Sequence, residues 1–190
     1  MSSTGRRRLP HAQRRMEILA AAGAMFRARG YDAASIDAIA AEVGISGPAI
    51  YRYFSRKPEI LTALIEAASA DAVSTIDLAV SGSHGDDALT GLANALVDHA
   101  GRQGDVLALL QSGVAQLEAD DRQQLHRIRE DIVEHLGAAL RHARPDLPAE
   151  SAKLHADTAL GVVGHMSDAL LKDDALLDRF RVIVRAVLAA

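Results

Sequence analysis

The chain contains no cysteine and no tryptophan, and only three tyrosines and three phenylalanines in 190 residues. Without cysteine there is no disulfide framework, no thiol nucleophile and no cysteine metal site, which fits a reducing cytoplasm. No uninterrupted apolar stretch reaches the roughly 18 residues needed to span a bilayer. The N-terminus is basic, but no apolar signal core follows it. The expectation is a soluble, cytoplasmic protein. Strictly alternating β-branched runs are missing too, so nothing in the sequence calls for a sheet. What is present is alanine and leucine in quantity, and an apolar content of 49%, enough for a real core. The fold class reads as all-α.

Charge is unevenly spread. The net charge is -4. Residues 1–61 hold ten Lys/Arg against five Asp/Glu, and residues 62–190 hold eleven against twenty. A basic head on an acidic body suggests two jobs, one of them meeting a polyanion. The stretch "SSTGRRRLPHAQRR" opens the head as a polar arm, residues 1–11, which reads equally as a solvated tail or as a groove-tracking arm.

Helical spacing then takes over. Ile18, Ala22, Met25 and Phe26 give one apolar face to a helix from Ala12 to Arg29, and Gly30 stops it. Ser35 is a good N-cap for a short helix with Ile36, Ile39, Ala40 and Val43 inward. Gly44 ends that helix, Ser46 caps a third, and Gly47-Pro48 fill its first turn, where a missing N–H costs little. Two short helices crossing at a small residue (Ala40), with a glycine turn and an apolar lock of Ile39, Val43, Ile45 and Ile50, describe a helix-turn-helix. Tyr51, Tyr53 and Phe54, half of all the aromatics, follow within four positions, beside Arg52, Arg56 and Lys57.

In that arrangement the third helix enters a DNA major groove. Arg52 has the donors to read guanine O6 and N7, a contact worth about 1–3 kcal/mol of discrimination. Tyr51 suits phosphates or base edges, and Gly47 leaves room for backbone N–H groups to approach a phosphate. Phe54 reads as packing. A long helix from Pro58 to Leu78 or beyond connects head to body, and its start beside Lys57 is a second candidate phosphate site.

These residues, "ILAAAGAMFRARGYDAASIDAIAAEVGISGPAIYRYFSRKPEIL", resemble the tetracycline-repressor (TetR) family of bacterial regulators over about a third of the chain. The matching features are Phe26-Gly30-Tyr31, Ile39-Ala40-Gly44-Ile45-Ser46, Tyr51-Phe54 and Lys57-Ile60. The resemblance implies a three-helix DNA-binding domain (residues 12–57), a helical-bundle effector-binding and dimerisation domain (58–190), and a homodimer on successive major grooves. It also implies phosphate contacts from Ser35, Tyr51, Tyr53 and Lys57. Ser46 and Pro48 fall within the same surface. The chain departs from the family at Gly47, often lysine; at Pro58, often glutamate; and at Arg56, often small and polar, where it is a candidate replacement phosphate contact.

The body reads as helices over 86–101, 105–117, 119–143, 149–171 and 174–188. The resemblance implies that the last two pair with their copies. Small residues at Ala156, Ala159, Gly161 and Gly164 permit close approach, and Phe180, Ile183, Val184 and Val187 make the last helix apolar over too wide an arc for a monomer surface. Asn94, Gln111 and His165 are the polar residues on mostly apolar faces, hence candidate ligand contacts. A wall of Leu, Val, Met and Ala suits an aliphatic or acyl effector. His135 and His142 share a face, but no third ligand stands in register, so no metal and no cofactor is expected. No nucleophile–base pair or phosphate-cradling loop supports an enzyme. The expected function is a ligand-released repressor acting on double-stranded operator DNA, with a non-specific architectural DNA binder as the alternative.

Overall fold

The computed structural model describes residues 10–112, 117–166 and 168–190, with the side chains at 27, 103–112, 168 and 169 left aside. The basic arm's residues 1–9 lie outside that range. Among the described residues all regular structure is helical. Among the described residues no helix is long and apolar enough to cross a membrane. The chain divides after Leu64 into two compact units.

In the first unit α1 (His11–Arg29) packs on α2 (Ile36–Glu42), and α2 packs on α3 (Gly47–Ile50). The apolar face of α1 is buried as its spacing requires: Ile18, Ala22, Met25 and Phe26. Ile39, Ala40, Ile50 and Phe54 are buried too, as are Ile60 and Leu61 at the start of α4 (Lys57–Val80). Each large side chain buried this way contributes about 1.5–3 kcal/mol. Ile36, Val43 and Ile45 are only half-buried, because they stand at or just past the ends of a seven-residue helix.

The second unit holds the rest of α4, then α5 (Gly85–Ser112), α6 (Ala119–Ala143), α7 (Ala149–Gly164), α8 (Asp168–Leu171) and α9 (Asp174–Ala189). α5 packs on α9, α6 on α7, and α7 on both α5 and α9. Their shared core includes Leu92, Leu136, Leu140, Val163, Val184 and Leu188. Polar pairs set the register around it. Arg181 reaches Asp98 at 2.7 Å and Arg185 reaches Asp86 at 2.6 Å, joining α9 to α5. Asp71 and Asp77 of α4 meet His99 of α5 at 3.1 Å and His135 of α6 at 2.8 Å. The solvent-exposed pairs among these are worth about 0–1 kcal/mol each, so apolar burial does most to hold the unit together.

Two helix boundaries differ from the sequence expectation. The break expected at "GRQGD" does not exist: α5 runs unbroken to Ser112. A glycine inside a helix costs only about 1 kcal/mol. Here Gly101 is a packing residue, since a Cβ on it would lie 3.2 Å from Leu171 Cδ2. Conversely, the helix expected over 149–171 stops at Gly164 and resumes only at Asp168. His165 caps the stop: its Nδ1 lies 2.7 Å from the Gly161 carbonyl, and its N–H donates to Val162.

Candidate nucleic-acid interface

The turn between α2 and α3 is built from its glycine outward. Gly44 adopts φ 69°, the left-handed region that side chains resist. Its N–H donates to the Ala41 carbonyl at 3.0 Å, and the Ile45 N–H donates to Ala40 at 2.9 Å. That pair of bonds is the Schellman closure, which satisfies two carbonyls left over at a helix end. The other end of α2 is capped by Ser35, whose Oγ accepts from the Ala38 N–H at 3.1 Å. Arg14 of α1 ties the turn down by donating to the Val43 carbonyl at 3.2 Å.

α3 is a single turn, carried on by Tyr53 N–H to Ile50 O at 2.9 Å and Phe54 N–H to Ile50 O at 3.1 Å. Ser46 occupies the N-cap position, but its side chain makes no capping bond. The expectation that Ser46 caps α3 through its side chain is therefore corrected: Pro48 removes one of the two N–H groups its hydroxyl could bind, and the other, that of Ala49, donates to the Ser46 carbonyl at 2.8 Å instead. Gly47 is half-buried, and an added Cβ there would collide with the Asp37 carboxylate. The space expected beside Gly47 is thus filled by an acidic side chain from α2.

The remaining candidates form the face beyond α3. Pro48, Tyr51, Arg52 and Arg56 are exposed, Tyr51 by 53%. Tyr53 is half-buried and Phe54 fully buried. Lys57 is also half-buried. Its Nζ donates to the Asp32 carbonyl at 3.3 Å and lies 4.2 Å from the Tyr31 ring centroid. Burial pulls this ammonium below its ordinary value, and the Asp32 carboxylate pulls the other way. At the start of α4, Glu59 accepts from both the N–H of Ser55 (2.7 Å) and its hydroxyl (2.8 Å).

The candidates of the second unit are scattered. Asn94 and His165 are exposed, and the side chain of Gln111 lies outside the described residues. Ala156, Ala159 and Val184 are buried within the unit itself. Gly161, Gly164, Phe180 and Val187 are half-buried, whereas Ile183 is 53% exposed. Two further exposed apolar residues of the second unit escape sequence reasoning, Val182 (67% exposed) on α9 and Leu154 (64%) on α7. Among the described residues no group of three His, Asp or Glu is placed to hold a metal ion.

A capped two-helix unit closed by a left-handed glycine, with an exposed tyrosine and arginine beyond its second helix, defines a helix-turn-helix head. Residues 18–64 match the family model of bacterial regulatory proteins, tetR family. The match is confined to the head. It is 44% identical over 59 residues to the HTH-type transcriptional activator FasR of Mycolicibacterium smegmatis, a match that covers 31% of this chain and 27% of that one. The whole fold resembles solved structures. The fatty acid degradation regulator FadR from Bacillus halodurans has a TM-score of 0.75 at 18% identity, covering 96% of this chain and 97% of that one. The transcriptional regulator FadR from Bacillus subtilis, solved in complex with stearoyl-CoA, has 0.72 at 16%, covering 91% and 97%. The expected class, a helix-turn-helix head followed by a helical bundle, is borne out.

Proposed function

We propose that the protein is a one-component transcriptional regulator. It binds operator DNA as a homodimer through two heads, acts as a repressor, and is released by an acyl-type effector taken up by the second unit. The observation that carries this reading is the Gly44 turn with Tyr51 and Arg52 exposed just beyond α3. The tetR-family match at the head supports it. The effector class rests on the aliphatic core of the second unit and on the likeness to a FadR solved with stearoyl-CoA. An effector acts only through its different affinity for two conformations. Because α4 begins in the first unit and continues into the second, the reading routes that difference along α4. The place of action is the cytoplasm, where the operator is.

A second reading, activator, is favoured by the name of the FasR relative. The sign of regulation depends on where the operator lies relative to the promoter, and both readings share the same DNA and effector contacts. The test is to titrate stearoyl-CoA, and separately free coenzyme A, into the protein bound to a fluorescent duplex selected from a random pool. Release by the acylated form alone supports the effector class. Unchanged anisotropy with both sinks the acyl effector while leaving the DNA contact standing.

A further inference from the structure

The first turns of α1 touch the DNA-facing segment at three points that the family resemblance does not assign. His11 stacks on Tyr53, with ring centroids 4.6 Å apart and planes 24° from parallel. Arg15 lays its guanidinium 4.8 Å from the centroid of Phe54. Arg14 holds the Val43 carbonyl. Residues 11, 14 and 15 share one face of a helix, and Ile18 continues that face into the core. The buried stripe of α1 therefore extends past the core as a row of polar and cationic groups, two of which, His11 and Arg15, lie on the aromatic cluster.

The row matters because α3 is so short. A helix of one turn fixes few side chains beyond its own end, and Tyr53 stands three residues past Ile50. Its ring is held instead from outside, by the imidazole at the first position of α1. The geometry points to His11 as a positioning residue for DNA binding: its stack fixes the Tyr53 ring, and so its hydroxyl, on the surface shared with Tyr51 and Arg52. This inference rests on the DNA-binding reading and deepens it. An imidazole does this work without adding an apolar ring to the surface, because a polar ring at an exposed position stacks its face on the tyrosine.

The experiment is a double-mutant cycle in the full-length protein, using a fluorescent duplex that the wild type has selected from a random pool. His11→Ala should weaken binding roughly two- to tenfold, the range that an aromatic stack allows. His11→Phe should restore most of the loss, because it keeps the stack. In a Tyr53→Ala background, His11→Ala should have no further effect. Proton NMR of the wild type should show the imidazole protons of His11 displaced by the tyrosine ring current, and the displacement should vanish in Tyr53→Ala. Unaltered melting temperatures would show that each variant folds. If His11→Phe restores nothing, or if the two losses multiply, His11 acts independently of Tyr53 and the proposal is overturned. If the wild type selects no duplex at all, the DNA-binding reading itself has failed and takes the positioning role with it.

Discussion

Arg52 and Lys57 carry similar charge and sit five residues apart, yet the structure gives them different surroundings. Arg52 is exposed just past α3. Lys57 is half-buried, its ammonium shared between the Asp32 carbonyl and the face of Tyr31. Arg52→Ala is therefore expected to relax base preference at one or two positions with little change in stability. Selection from random DNA checks this, and an unchanged preference would make Arg52 a bystander. Lys57→Ala should weaken binding to all sequences alike, flatten the salt slope by about one unit, and lower the melting temperature of the head. A loss confined to particular bases would contradict its phosphate role. The sequence showed Gly44 and Ser35 clearly, because a left-handed turn and an N-cap each demand a narrow residue type. It did not show Asp37 filling the space beside Gly47, nor Lys57 turned towards Tyr31. Those depend on which side chains the crossing of the helices brings together, and spacing along one helix carries no such information.

At the scale of elements, α4 is paired to α5 and α6 through histidines, His99 with Asp71 and His135 with Asp77. His99 of α5 is buried and faces Asp71 of α4, with Arg102 of its own helix nearby. Burial pulls the His99 value below that of an ordinary histidine, and Asp71 opposes the shift. The unfolded chain then takes up a proton at a pH where the folded chain does not. The resulting stabilisation is complete above the ordinary value of about 6.5 and is lost as pH falls towards the depressed folded value. Thermal melts of the second unit should accordingly drop through that window, and His99→Gln should reduce the drop. An equal drop in both proteins would show that other groups govern the acid response. The same scale shows what periodicity misjudges. Gly101 was read as a stop and is a packing contact under Leu171 within α5, whereas Gly164, read as helix interior, ends α7. A glycine weakens a helix wherever it stands, and tertiary contacts decide whether the helix survives it.

For the whole molecule, the apolar arc of α9 divides into two faces. Val184 and Leu188 turn into the core, while Leu176 and Ile183, seven residues apart, remain exposed beside Val182. The sequence read this as one seam, because an apolar residue bears the same signature whether its neighbour is its own chain or a partner. The exposed face supports the proposed homodimer, since isologous pairing would cover it with its own copy. Ile183→Asp should convert a sedimenting dimer to monomer and weaken operator binding with it; a variant that stays dimeric would place the seam elsewhere. The central claim is that the head reads sequence, and one measurement addresses it most directly. Fluorescence anisotropy would compare binding to DNA from upstream of the protein's own gene, and to the duplex it selects from random sequence, with random DNA of equal length across a salt series. The account predicts a preference of about a thousandfold or more for at least one of the two, together with a steep fall in affinity as salt rises. Equal affinity for the selected and random duplexes at every salt concentration would contradict it.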